Sequence, residues 1–310
     1  MEQSFRVKTI EFVGRKVPVL LQNEFGPCAL LAIFNALLLR NAIQLSTDHG
    51  SVTIETVVTL VATRLLECNA AAQHQDAVQL RQVLDDAIAL LPSLETGLDV
   101  NVQFRGGFEY TKAFTVFDLL DIDLVHGWVV AEDDEAAAVL GDQGYNQVIE
   151  AVISNRESYD KAKSFLERTA AQLTFPGLAH LHAKLREREL AVLYRNMHFS
   201  TLFKYEGRLY VLVTDLGYQN EARVVWELLD DVGGDTLYVD SSFVPRPPED
   251  PDYLMALHLQ QETPLAEQSD FHAALQLHAV ERWTRKRQVK ARTASEQRRP
   301  SMLERSSTDE

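Results

Sequence analysis

Gln22-Asn23-Glu24-Phe25-Gly26-Pro27-Cys28-Ala29-Leu30-Leu31-Ala32-Ile33-Phe34-Asn35-Ala36-Leu37-Leu38-Leu39-Arg40 joins a polar loop to an apolar run. Gly26-Pro27 punctuates the turn, and proline just before or at the first helical turn suits the start of a helix. Cys28 therefore falls at a helix N-terminus. There the free main-chain N–H groups and the positive end of the helix dipole favour thiolate over thiol. Gln22, in the same loop, carries an amide that can donate to the oxyanion formed when a thiolate attacks a carbonyl. A free cysteine also serves as a small buried hydrophobe. Two adjacent amides in a Gly-Pro loop do little for a core and much for an oxyanion.

Upstream, Phe5 to Phe12 and Lys16 to Leu21 alternate apolar and polar residues around Gly14-Arg15. They read as a hairpin that delivers the Gln22 loop. Downstream, helical spacing predicts helices from Thr53 to Leu66 and from Asp76 to Leu91. Val100 to Phe104 alternates as a short strand before the Gly106-Gly107 loop. Phe114 to Leu124 is an apolar run of either type, and Val125 to Ala131 reads as extended. Helices are expected at Asp133 to Leu140, over Tyr145 to Gln172 with a break near Asn155, and at Gly177 to Arg188. The pattern then changes. Glu189 to Tyr194, Phe199 to Tyr205, Arg208 to Thr214 and Ala222 to Leu228 read as strands, with the tightest turn at Glu206-Gly207. A helical first half and a strand-rich second half give an α+β fold over residues 1–245. Four prolines between Val244 and Pro251 mark a linker. Residues 264–293 read as a helical tail, and 294–310, poor in apolar residues, as disordered.

The chain has 310 residues, 46% hydrophobic, with a net charge of −15. The basic end, residues 281–310, carries about +4, so the body is near −19. An acidic body makes nucleic acid an unsuitable partner and suits a basic protein surface, or plain solubility. No apolar run approaches the roughly 20 residues that span a bilayer. The first residues lack a signal-peptide core, and the last lack a prenylation cysteine, so no membrane anchor is expected. With only Cys28 and Cys68, neither a disulfide framework nor a Cys-rich metal site is expected. A working thiol fits a reducing compartment, the cytoplasm or the nucleus.

A thiol nucleophile needs a base within hydrogen-bond reach. There are nine histidines. His49, His74, His180 and His182 lie in polar or helical surroundings, His258, His272 and His278 lie beyond the linker, and His126 suits a satisfied core position. His198 opens the best-defined strand, as the base does in a papain-like site, where the nucleophile tops a helix and the base comes from a neighbouring sheet. If the hairpin turns at Glu206-Gly207, residues whose numbers sum to 413 face each other, and His198 opposes Asp215. Asp215 could then orient the imidazole. A one-residue bulge puts Thr214 there instead, Ser200 is a weaker candidate, and Asp215 also suits a turn before Gly217.

Several separated stretches together resemble the MINDY family of deubiquitinases. They are Gln22-Asn23 with Gly26-Pro27-Cys28, Leu98 to Val102, Phe117 to Ile122, His126-Gly127-Trp128, Tyr145-Asn146-Gln147, Leu173-Thr174 with Gly177-Leu178, Asn196 to Thr201, Val213 to Tyr218 and Val224 to Glu227. The resemblance covers about Phe5 to Phe243. It implies a papain-like cysteine peptidase, without cofactor or metal, that cleaves isopeptide bonds in lysine-48-linked polyubiquitin and trims from the distal end. Polyubiquitin chains and ubiquitinated proteins are the implied partners, and the chain is expected to act as a monomer. By motif position, Cys28 is the nucleophile, His198 the base and Gln22 the oxyanion donor. Phe25 stands where the family often has Asn. The alternatives are a ubiquitin-binding scaffold with a weak or inactive site and a thiol peptidase for another ubiquitin-like modifier.

Within residues 246–263, Asp252 to Glu262 resembles a ubiquitin-interacting helix. Acidic residues come first, Ala256 is the small mid-helix residue, and Leu254 and Leu257 are the apolar contacts. Gln260 replaces the usual Ser. A helix packed on the domain is the competing expectation.

Overall fold

The computed structural model describes residues 3–22, 26–45, 50–69, 77–154, 159–233 and 237–245. The expected linker, tail helices and Leu254, Ala256 and Leu257 lie outside the described residues, as do Asn23, Phe25 and Asn155.

The predicted hairpin forms from β1 (Ser4–Phe12) and β2 (Arg15–Leu20), paired from Val7↔Leu20 to Phe12↔Arg15. A strand missing from the sequence reading, β3 (Ser51–Thr53), completes a three-stranded sheet on the free edge of β1. α1 (Cys28–Leu39) follows, and every residue from Ala29 to Leu39 is buried. A helix apolar all round can be stable only when covered on all sides, so α1 is the central post of the fold.

α2 (Ile54–Cys68) starts where Thr53 caps it, the Thr53 hydroxyl accepting from Thr56 N–H. α3 (Ala77–Leu90) matches the third expected helix. The uncertain run at Phe114 to Leu124 is mostly helical, a 3-10 turn leading into α4 (Thr115–Leu119).

The second sheet has six strands. They are β4 (Leu124–His126), β5 (Leu190–Arg195), β6 (His198–Tyr205), β7 (Arg208–Leu212), β8 (Trp226–Leu228) and β9 (Leu237–Val239), side by side in chain order. Only the β4–β5 contact is parallel. Between those two strands run α5 (Ala137–Leu140), α6 (Tyr145–Ile153), α7 (Asp160–Arg168) and α8 (Phe175–Lys184).

Alternation along the strands sends their side chains to two cores. Val192, Phe199, Phe203 and Leu212 pack into the cluster that holds α1. Ala191, Leu193, Leu202 and Leu209 pack with Leu178 and Leu181 of α8. A third cluster is aromatic: Phe104 meets Trp128 and Phe165 edge-on, with centroids 5.1 and 5.6 Å apart.

Several expectations need correction, and the strand expected from Ala222 begins only at Trp226, after a turn closed by Val224 N–H on Glu221 O. Val100 to Phe104 is not a strand, because its only pairings among the described residues are isolated bridges, Val102↔Phe108 and Gln103↔Gly144. Its alternation buries Val102 and Phe104 in the aromatic cluster instead. Extended pairing of the Val125 region stops at His126. The helix expected from Asp133 begins only at Ala137, because Asp134 caps a turn with its carboxylate on Ala136 N–H, 2.8 Å.

Candidate active site

Pro27 has φ −75° and ψ 70°, and Cys28 N–H donates to Gly26 O at 2.9 Å. These values define an inverse γ-turn. The turn hands the chain to α1 with Cys28 as its first helical residue, as Gly26-Pro27 predicted. No acidic side chain occupies the first turn of α1 itself.

His198 owes its place to a tight hairpin. β5 and β6 are joined by Asn196 and Met197 alone, both with positive φ (50° and 59°). That is the requirement of a two-residue type I′ loop, for which Asn is a favoured residue. The loop is tied down by Arg195 Nε donating to Ala171 O (3.0 Å) and Asn196 N–H donating to Gln172 Oε1 (2.9 Å).

Arg195 and His198 close the hairpin, so the next residue, Phe199, turns its N–H away from β5. The β6–β7 ladder runs only from Tyr205↔Arg208 to Leu202↔Val211, which leaves that edge open beside Phe199. Cys28 lies beside it, near enough that the Phe199 N–H favours its thiolate. One helical turn further on, Thr201 Oγ1 donates to Ala32 O at 3.0 Å. Four helical residues advance about 6 Å, and two strand residues advance nearly the same, so helix and strand stay in step. The main-chain segments that carry the two candidates are thus neighbours, and among the described residues no hydrogen bond links Cys28 and His198 themselves.

Burial sets the charge state of the pair. It pushes the Cys28 thiol up, against the N–H groups of Phe199, Ala29 and Cys28 itself, which favour thiolate. It pushes the His198 imidazole down. Both shifts favour the neutral forms, thiol for Cys28 and imidazole for His198.

Gln22 stands two residues beyond the end of β2. Its N–H donates to Thr214 O at 2.7 Å, and it forms a parallel bridge with Asp215. The strand is held to α1 by Asn35, which is 1% exposed. Asn35 accepts from Leu20 N–H (2.8 Å) and donates to Leu20 O (3.0 Å). Gln22 is half-buried, and among the described residues its side-chain amide makes no hydrogen bond.

The expected third member is placed differently. The register sum of 413 holds through the paired part of the hairpin, yet β7 ends at Leu212, short of Asp215. Val213 N–H turns to Val225 O, and Thr214 O serves Gln22. Asp215 is exposed and its carboxylate accepts from Gly217 N–H at 2.6 Å, the turn role that was the competing expectation. Among the described residues, neither Asp215 nor Thr214 hydrogen-bonds the His198 ring.

His126 is the core histidine expected. It is 2% exposed, with Nδ1 accepting from Trp128 N–H (3.1 Å) and Nε2 against Gly107 O (2.7 Å). Cys68 is exposed on α2. Among the described residues no cluster of His, Cys, Asp and Glu is arranged to hold a metal, and no helix is long and apolar enough to cross a membrane.

Sequence reasoning missed Tyr194, Asn35 and the Phe199 N–H. Tyr194 is half-buried against Phe199, ring centroids 5.0 Å apart; desolvation raises its phenol's pKa, and it is near enough to Cys28 that a thiolate there raises it further. The available signals were the Asn196-Met197 turn and a lone polar Asn35 in an apolar helix.

The MINDY deubiquitinase family model matches residues 3–243. Over 283 residues the chain is 42% identical to ubiquitin carboxyl-terminal hydrolase MINDY-2 of Mus musculus, a match spanning 83% of this chain and 47% of that protein. It is equally similar to MINDY-2 of Homo sapiens, 46% of which is covered. It is 40% identical over 290 residues to ubiquitin carboxyl-terminal hydrolase MINDY-1 of Pongo abelii, covering 83% of this chain and 62% of the relative. The chain spans about half the length of the MINDY-2 relatives it matches.

Proposed function

The chain belongs to the MINDY deubiquitinase family, and from that premise we propose that it is a cysteine-type deubiquitinase hydrolysing isopeptide bonds in lysine-48-linked polyubiquitin, trimming from the distal end. The observation that carries this is Cys28 at the start of α1, held alongside the strand that opens at His198 by the Thr201–Ala32 hydrogen bond.

The Cys28 sulfur attacks the C-terminal glycine carbonyl of the distal ubiquitin. Burial favours the neutral pair at rest, so His198 takes the thiol proton as the C–S bond forms. The carbonyl oxygen becomes an oxyanion, which the Gln22 amide meets. The Cys28 N–H, at the same helix start, is engaged by Gly26 O. Among the described residues, that leaves the Gln22 amide as the donor without a standing partner. The C–N bond then breaks, and His198 gives its proton to the leaving lysine amine. In the second half, His198 deprotonates a water that attacks the thioester, and Cys28 leaves with the proton restored.

The proposed partners are polyubiquitin chains and ubiquitinated proteins, met by a monomer in the cytoplasm or nucleus. The segment around Leu254, Ala256 and Leu257 is proposed as a second ubiquitin contact, on sequence grounds alone. A ubiquitin–propargyl probe tests the core of this reading. Labelling at Cys28, with faster release of ubiquitin from lysine-48 chains than from other linkages, supports it. Binding without labelling replaces it with a scaffold, and labelling only by another ubiquitin-like probe replaces the substrate.

A further inference from the structure

Among the described residues, Lys8 is the one buried side chain of the Lys, Arg, Asp and Glu types, at 6% exposed. Lysine is rarely buried without compensation. Its ammonium donates to Tyr218 O (2.7 Å), Glu221 O (2.8 Å) and Val224 O (2.8 Å). An ammonium has three N–H donors, and each has a carbonyl. Burial draws the Lys8 pKa down to about 8, with the nearby Glu221 carboxylate pulling the other way.

The two ends of this contact both lead to Gln22. Lys8 lies on β1, opposite Val19 of β2, and β2 leads on to Gln22. The three carbonyls belong to the segment between β7 and β8. In that segment Tyr218 N–H donates to Asp215 O (3.1 Å), and Thr214 O in turn accepts the Gln22 N–H. The Lys8 side chain therefore closes a ring: β1 to β2 to Gln22, then Thr214–Asp215, then Tyr218 and back to Lys8. Without it, the Thr214 carbonyl and the strand delivering Gln22 belong to separate sheets with one fewer strut between them.

We propose that Lys8 is a positioning residue for the oxyanion donor, acting through the 214–224 segment to hold Gln22 at the carbonyl attacked by Cys28. This rests on the role given to Gln22 above. Misplacement of a transition-state donor lowers kcat and spares substrate binding.

The test is a mutant cycle on the full chain, with lysine-48 di-ubiquitin as substrate. Lys8→Met removes the ammonium and keeps most of the apolar stem. Lys8→Gln keeps two N–H donors, in case Lys8→Met folds poorly. Both are assayed well below their unfolding temperatures, with the rate of Cys28 alkylation by iodoacetamide as a check on the nucleophile, since alkylation forms no oxyanion. The expected result is a fall in kcat of about tenfold or more, KM within about twofold, unchanged alkylation, and no further loss when Lys8→Met is added to Gln22→Ala. Equal loss of kcat in the wild-type and Gln22→Ala backgrounds overturns the proposal, as does an unchanged kcat or a loss confined to KM. If the wild-type chain cleaves no ubiquitin substrate, the proposed function itself falls and takes this inference with it. If it cleaves and the cycle is additive, only the role of Lys8 falls.

Discussion

Asn35 closes both hydrogen bonds of its amide on the main chain of one residue, Leu20, at 2.8 and 3.0 Å, with all four atoms buried. It thereby locks the strand that leads to Gln22 to the helix that begins at Cys28. Asn35→Ala strands a buried N–H and a buried carbonyl, each worth about 1–3 kcal/mol. Unfolding in urea should show a loss of about 3 kcal/mol, less whatever an entering water recovers. A loss below about 1 kcal/mol would show that the two elements hold their register without the amide.

Cys28→Ala should abolish cleavage and leave chain binding intact, because it deletes the sulfur and little volume. Cys68→Ala should cleave normally, since Cys68 is exposed on α2. Residual near-normal cleavage by purified Cys28→Ala would sink the assignment of the nucleophile.

Gln22→Ala should lower kcat by roughly 100-fold with KM little changed, the cost of one oxyanion donor. Steady-state kinetics on di-ubiquitin separate the two constants. A raised KM at constant kcat would make Gln22 a substrate-binding residue instead.

Stability should fall in mild acid through His126, whose burial holds its pKa down to about 4. The folded value lies below the unfolded value of about 6.5. Between the two, the unfolded chain binds more protons, so stability rises with pH across that window and drops as pH falls through it. From pH 7 to 5 the loss from this group is about 2 kcal/mol. Urea titrations at both pH values, for the wild type and His126→Gln, should show a shallower pH dependence in the variant. Identical slopes would remove His126 as the source.

Truncation after Pro245 should slow cleavage of long chains far more than of di-ubiquitin, if the segment around Ala256 captures ubiquitin. Tethering raises the effective concentration of a chain without adding contacts at the active site. Equal slowing of both substrates, or a lowered Tm, would assign the segment to the fold.

Elements with strong local signals were legible before any coordinates. The β1–β2 hairpin, α1, α2 with its Thr53 cap and the β6–β7 register all rest on neighbours in sequence. Cys28 at a helix start and His198 at a strand start were legible for the same reason. The misread pieces had partners far away. Val100 to Phe104 alternates like a strand, but a strand needs an edge to pair with, and none is offered there. β3 and β9 have only three residues each and exist because an edge was waiting.

Asp215 shows where the boundary lies. Its register opposite His198 followed from counting, and counting holds only while both strands stay in the ladder. After Leu212 the chain meets two competing partners, Val225 on one side and Gln22 on the other, and hydrogen bonding to them ends the hairpin. Periodicity, capping and turn chemistry are local, so the sequence by itself determined the elements and the residue types of the site. Which N–H lies beside the Cys28 sulfur, which carbonyl holds Gln22 and which side chain braces that carbonyl depend on segments nearly 200 residues apart. Only packing of the whole chain decides them, because every buried donor and acceptor must find its partner at once.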